Sequence, residues 1–236
     1  MALFEVDAEH RFFLGLMHNT VLDFGWKCLS YCLMPNHVHL LIRHVTPNLS
    51  PGMQRLATRY ARYYNDRRER YGHVFQGRFG SRIVARESHL REVMRYIALN
   101  PVRAGLCPDP AGYPWSAHRA LLGVARTGFL SVDEGLGVFG TQVTEARAAY
   151  GAFVADRSAD QQFAAGYGSP LGPDRGVAAG DLSKLVERLD RDALITTAHL
   201  EHGYSFAAIA RALGCARSTV TRRFTKLERE HATRGV

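Results

Sequence analysis

The stretch Tyr31–Ile42, YCLMPNHVHLLI, decides the fold of the chain around it. Two apolar runs are broken by Pro35-Asn36, a turn-forming pair, and the whole reads as a β-hairpin with a short connection. The second arm opens with His37 and His39. Residues i and i+2 of a strand point to one face, so the two imidazoles project side by side. Two neutral imidazoles placed this way can bind a divalent metal. Alone the motif is weak evidence. With 11 histidines in 236 residues, chance supplies roughly 0.5 such pairs, and the rest of the chain has to decide what the pair is for.

Outward from the hairpin, composition narrows the class. A length of 236 residues allows one large domain or two smaller ones with ample core material. At 46% hydrophobic and 22% charged residues, the chain reads as soluble and globular. No apolar run approaches the roughly 20 residues of a membrane span, which argues against a membrane partner. The N-terminal MALFEVDAEH is acidic and lacks a cationic apolar signal, so a cytoplasmic location is expected. Cys28, Cys32, Cys107 and Cys215 form no C-x-x-C pair. They read as reduced, mostly buried thiols rather than a zinc cage or disulfide frame.

Charge is more telling once located. The net charge is +8, and nine arginines with no lysine lie between Leu49 and Arg86, against only Asp66 and Glu69. Nearly all the excess positive charge therefore sits beside the hairpin. Arginine forks suit bidentate phosphate contacts, so a polyanion partner is favoured over a merely solvated helix face.

In chain order, residues 7–24 carry Phe12, Leu16, Val21 and Phe24 at near-helical spacing, and Gly25 ends that helix. Residues 26–34 and 37–45 form the hairpin arms. Asn48 and Ser50 are capping residues before Pro51, opening a helix that runs to about Arg70. It bears Met53, Leu56, Tyr60, Tyr63 and Tyr64 on one side, flanked by Arg55, Arg59 and Arg62. The glycines of GHVFQGRFGSRIVARE mark a bent loop, with Ser81–Ala85 as a short strand. Ser88 opens the next helix, SHLREVMRYIALNPVRAG. This order of helix, strand, strand, helix, strand, helix is α+β, with helices packed on an antiparallel sheet.

That last helix brings further chemistry. Tyr96 and Asn100 are spaced i, i+4 and share a face. Arg103 would continue it, although Pro101 is expected to kink or end the helix first. A tyrosine near arginines and a metal can act as a nucleophile, because cations favour phenolate over phenol. Taken alone, Tyr96 would be a packed aromatic.

MPNHVHLLI followed some 55 residues later by RYIALNPVRAG resembles the HUH-type single-strand transposases, which use one catalytic tyrosine. GHVFQGRF and the later YPWSAHRA resemble the branch called REP-associated tyrosine transposases. The resemblance covers roughly residues 3–155. It implies a ferredoxin-like HUH core in which His37, His39 and Asn100 hold Mg²⁺ or Mn²⁺ and Tyr96 is the nucleophile. Asn100 stands where such proteins usually carry Gln or another polar residue. The implied reaction gives a 5′-phosphotyrosine and a free 3′-hydroxyl, which can reverse the step on another strand without ATP. Arg55, Arg59, Arg62, Gln76 and Arg78, with Arg103, would follow the backbone of single-stranded or hairpin DNA. Phe75, Phe79 or Tyr63 could stack on exposed bases. Such proteins usually begin with a strand ending in a motif like YHVxxRGN, whereas this chain starts at MALF. A core lacking its first strand, with an unpaired sheet edge, is therefore expected.

Beyond Gly123 the texture changes. Ten of the 22 glycines fall in residues 124–180, and residues 164–180 read as a flexible linker. Thr141–Asp156 reads as a helix on the first domain. Helical patterning returns at Asp181, and YSFAAIARALGCARSTVTRRFTKLE resembles a helix-turn-helix, with Ser205 as cap and Gly214 in the turn. Its second helix would present Arg217, Ser218, Thr219, Thr221, Arg222 and Arg223 to a groove of duplex DNA. The expected domains are thus a catalytic region over 1–123, an extension and linker over 124–180, and a DNA-binding domain over 181–236. Two function classes stand side by side: a metal-dependent strand-transferring enzyme, and a non-catalytic DNA-binding remnant. A hydrolase using the His pair and water is a third. Oligomeric state is left open, a homodimer included.

Overall fold

The computed structural model describes residues 2–75, 77, 79–84, 86–156, 179–198 and 206–234. These fall into two units, Met1–Phe79 with Ser88–Arg157, and Gly80–Glu87 with Ser158–Val236.

Helix α1 (Asp7–Phe24) opens at Val6 without a side-chain cap. Instead Glu9 reaches back, its carboxylate accepting the N–H groups of Glu5 at 2.6 Å and Val6 at 3.4 Å, which satisfies donors that the first turn leaves orphaned. At the other end Gly25 takes φ 63°, a left-handed conformation that costs glycine nothing. There Trp26 N–H closes on Val21 C=O at 2.9 Å. Phe13, Leu16, Met17 and Val21 form the buried stripe of this helix.

Strands β1 (Lys27–Met34) and β2 (His37–Arg43) pair antiparallel, with Met34 opposite His37, Cys32 opposite His39 and Tyr31 opposite Leu40. A two-residue turn, Pro35-Asn36, joins them. Neither residue has positive φ, so the turn is not of the primed kinds that dominate two-residue hairpins. It is held from outside: Pro35 C=O accepts the N–H groups of Leu3 at 2.6 Å and Phe4 at 3.1 Å. β1 is buried from Cys28 to Met34. Its edge away from β2 is covered by irregular chain: Leu33 N–H donates to Trp115 C=O, Ala117 N–H to Tyr31 C=O and Ser131 N–H to Cys28 C=O. That covering answers, on this edge, the unpaired groups expected from a thin sheet.

Among the described residues the sheet has these two strands only. The strand expected at Ser81–Ala85 is not there: residues 81–84 are irregular, and Ala85 lies outside the described residues. The physical reason is burial. Ser81, Arg82 and Ile83 are exposed, so too little apolar surface leaves water to offset ordering the segment as a strand.

Helix α2 (Leu49–Arg67) buries Leu56, Tyr60 and Tyr64. Asn48 was expected to cap it but makes no such bond. Its amide bridges two elements instead, donating to Phe24 C=O at 2.7 Å and accepting from the Trp26 indole N–H at 2.8 Å. Tyr60 and Tyr64 donate their hydroxyls to the backbone carbonyls of Leu3 and Ala2, so α2 pins the N-terminal segment that in turn holds the hairpin turn.

Helix α3 (Glu87–Arg103) continues through Pro101, contrary to the expected break. Proline removes one ladder bond, and so near the helix end its cost is small. Beyond it Ala104 N–H reaches Asn100 C=O at 3.0 Å and Leu106 N–H reaches Pro101 C=O at 2.9 Å. After α4 (His118–Leu121) and α5 (Val132–Leu136), α6 (Val143–Ala155) packs within the same unit and buries Ala146, Tyr150 and Val154. Two polar ties fasten it. The almost fully buried Arg95 of α3 lies over the Phe153 ring at 4.5 Å and donates to Asp156 C=O at 3.3 Å. His118 Nδ1 meets the Tyr150 hydroxyl at 2.9 Å.

The second unit contains α7 (Ala179–Arg188), α8 (Arg191–Thr196), α9 (Phe206–Ala212) and α10 (Arg217–Arg234). Leu182, Leu194, Ile195, Ile209, Val220 and Phe224 form its apolar centre. Gly214, at φ 62°, turns the chain between α9 and α10. Residues 157–178, with most of the Gly-rich linker, and the cap expected at Ser205 lie outside the described residues.

Candidate active site

The hairpin positions the two histidines, and α3 brings the tyrosine to them. His37 and His39 are on the same side of β2, with Nε2 atoms 3.0 Å apart and rings nearly perpendicular at 88°. The Tyr96 ring stands against His39, centroids 5.6 Å apart and planes at 85°. Asn100, one turn on, donates its amide N–H to Tyr96 C=O at 2.8 Å and lies beside His39. Because α3 survives Pro101, Arg103 also arrives, its guanidinium 5.0 Å from the Tyr96 ring centroid. Five residues from two distant stretches thus meet at one place.

Burial tunes the pair. His39 and Asn100 are buried, while His37 and Tyr96 are half-buried. Burial, then the neighbouring His37, pushes the His39 imidazole down to about 4, against a smaller opposing pull from Asn100. Burial also lowers His37. Both rings are therefore neutral at pH 7, the form that offers a lone pair to a cation.

The donors fit a divalent ion. Two atoms at ~2.1 Å from one cation in neighbouring positions of an octahedron lie ~3.0 Å apart, and that is the Nε2–Nε2 separation. Among the described residues no group of three His, Cys, Asp or Glu side chains comes together. Asn100, whose side-chain N–H is taken by Tyr96 C=O, has an amide oxygen that could serve as a third ligand beside the pair.

The arginines expected to hold DNA divide. Arg55, Arg59 and Arg62 are exposed on α2, where Arg55 pairs with Asp23 at 2.5 Å and Arg62 with Asp66 at 3.7 Å. Phe12 of α1 stacks on Tyr63 beside them, at 3.7 Å between centroids. Phe75 packs near Tyr60, centroids 6.3 Å apart. Gln76 and Arg78 lie outside the described residues. In the second unit Arg217, Ser218, Thr219, Thr221 and Arg222 are exposed on α10. Arg223 is different: its guanidinium makes a two-pronged ion pair with Asp192 of α8 and is committed to that contact rather than offered to a groove. One contact went unread in the sequence, that of Asn36 with His37, where Nδ1 lies 2.6 Å from the amide oxygen. Its signal was an amide residue directly before the first histidine.

Residues 3–100 match the family model described as "Transposase IS200 like". That span holds the hairpin, α2 and the Tyr96–Asn100 turn of α3. Over these residues, under half of the chain, the protein is similar to the IS200-like transposase family. The first unit thus carries a DNA-processing domain of transposase type. Residues 207–231, which span α9 and α10, match the model described as "Bacterial regulatory proteins, crp family", which supports DNA binding by that helix pair. Among curated proteins and among solved structures nothing matches. No helix among the described residues is long and apolar enough to cross a membrane.

Proposed function

We propose that the IS200-like domain cleaves and rejoins single-stranded or hairpin DNA through Tyr96, with His37, His39 and Asn100 holding Mn²⁺ or Mg²⁺. The observation that carries this reading is the convergence of His37 and His39 Nε2 at 3.0 Å with the Tyr96 ring against His39. Two imidazoles suit Mn²⁺ better than Mg²⁺, which prefers an all-oxygen shell.

A bound cation would polarise the scissile phosphate and offset charge developing on its non-bridging oxygens. The residues of the chain do the rest. Tyr96 Oη attacks phosphorus, forming a P–O bond to the tyrosine while the bond to the 3′ oxygen breaks; the products are a 5′-phosphotyrosine and a 3′-hydroxyl. Arg103, its guanidinium 5.0 Å from the ring centroid, places positive charge beside the nucleophile. Reversal by a 3′-hydroxyl of another strand rejoins DNA, because the phosphodiester energy is kept in the tyrosyl ester. The exposed arginines of α2 follow the DNA backbone, and α10 holds duplex DNA through Arg217, Ser218, Thr219, Thr221 and Arg222.

The test is incubation of the full chain with 5′- or 3′-labelled single-stranded DNA and Mn²⁺. A covalent protein–DNA adduct that vanishes in Tyr96→Phe is expected. Cleavage that survives Tyr96→Phe would identify a hydrolase acting through the His pair and water, and DNA binding without adduct or cleavage would identify a non-catalytic protein.

A further inference from the structure

Asn36 makes a contact that the proposed chemistry does not use. Its amide oxygen lies 2.6 Å from Nδ1 of His37, while Nε2, the other ring nitrogen, faces His39 at 3.0 Å. A neutral imidazole carries one N–H and one lone pair, and what faces one nitrogen decides which is which. An amide oxygen can only accept, so it selects the form with the proton on Nδ1 and leaves the lone pair on Nε2.

We propose that Asn36 is a positioning residue that fixes His37 as the Nδ1–H tautomer and so presents Nε2 as the metal-binding nitrogen. The inference rests on reading His37 as a metal ligand. Outer partners of this kind orient ligating histidines and raise their basicity.

The turn is built to hold that amide in place. Pro35 fixes its own φ, its carbonyl is held by the N–H groups of Leu3 and Phe4, and Asn36 follows directly. The turn itself does not demand an amide, since Asp or Gly serves such positions equally well. What distinguishes Asn from Gly here is the oxygen aimed at the ring. Asp would keep that oxygen. The opposite amide orientation would present N–H groups to Nδ1, placing the proton on Nε2, between the two histidines where the cation would sit.

Long-range ¹H–¹⁵N spectra of the full-length, metal-free protein read the tautomer of His37, and electron paramagnetic resonance of free Mn²⁺ reads affinity. Wild type is expected to show Nδ1–H. Asn36→Ala should move His37 toward Nε2–H and weaken Mn²⁺ binding roughly 10-fold, whereas Asn36→Asp should keep both. Asn36 is exposed, so these variants leave the core untouched, and unchanged circular dichroism verifies it. A wild-type Nε2–H tautomer would overturn the proposal. So would Asn36→Ala with unaltered tautomer and affinity while His37→Ala loses Mn²⁺. A His37→Ala protein that binds Mn²⁺ as wild type does would instead remove the ligand reading, and with it the purpose assigned to Asn36.

Discussion

The two units treat their polar side chains in opposite ways. In the first, His39, Asn100, Arg95 and His118 are buried, with Asn100 donating to Tyr96 C=O, Arg95 donating to Glu92 and Asp156 C=O, and His118 meeting the Tyr150 hydroxyl. In the second, the buried cluster is apolar, and Arg217, Ser218, Thr219, Thr221 and Arg222 stand exposed on one helix. Chemistry at a phosphate needs groups held dry and in fixed geometry before the substrate arrives. Backbone recognition of DNA needs mobile cations in water that can release counterions. The contrast matches a DNA-processing domain in the first unit and a DNA-binding one in the second.

The largest effect that could break this comparison lies at Tyr96. Tyr96→Phe should lower adduct formation on single-stranded DNA by on the order of 10³-fold or more, while DNA retention on a filter is unchanged. Loss of retention in step with the adduct would show that the tyrosine only packs.

A second test weighs the polar interior of the first unit. Glu9 is almost fully buried and is tied to Arg68 at 2.6 Å and to two backbone N–H groups. Burial raises its carboxyl, but the Arg68 bond and the two N–H groups outweigh that and hold it below the usual range. Glu9→Gln should therefore cost about 1.5 kcal/mol in urea unfolding, because Arg68 loses its buried carboxylate and keeps only the part-exposed Glu5 as an ion-pair partner. Acid acts through another group. Burial pushes His118 down to about 4, against 6.5 in the unfolded chain, so below pH 6.5 the unfolded state takes up the proton first. The stability this neutral histidine secures is complete above pH 6.5 and is lost as pH falls toward 4, by about 3 kcal/mol over the interval. His118→Gln, which can still bond the Tyr150 hydroxyl, should flatten the fall between urea midpoints at pH 7 and pH 5. An equally steep fall in the variant would exclude His118 as its source.

Much of the first unit could be read from local signals. Helix α1 ends at the glycine that the sequence marks, and the hairpin follows from two apolar runs around Pro35-Asn36. What could not be read depended on neighbours. Asn48 has the residue type of a cap, yet Trp26 and Phe24 claim its amide. Pro101 has the residue type of a break, yet sits where only one bond is lost, and so Arg103 reaches Tyr96. Ser81–Ala85 has strand-forming residues but not the burial that would hold a strand. His37, His39, Tyr96 and Asn100 stand out through the resemblance of their two motifs to a known family, since spacing alone is weak, and the approach of β2 to α3 is a tertiary fact that spacing does not contain.

The smallest effects lie on α10, where two adjacent arginines should behave differently. By sequence, Arg222 and Arg223 were equivalent groove contacts. In the structure Arg222 is exposed, whereas Arg223 grips both carboxylate oxygens of Asp192, and that partner holds the Asp192 carboxyl below the usual range. Arg222→Gln should weaken duplex binding and reduce the slope of log affinity against log salt by about 1, with unfolding unchanged. Arg223→Gln should leave the slope alone and lower stability of the second unit by about 0.5–1 kcal/mol, since both partners remain part-exposed to water. Fluorescence anisotropy across a salt series separates the two. If Arg223→Gln changes the slope as much as Arg222→Gln does, the ion pair gives way when DNA binds, and the division between holding the fold and holding DNA does not run between these neighbours.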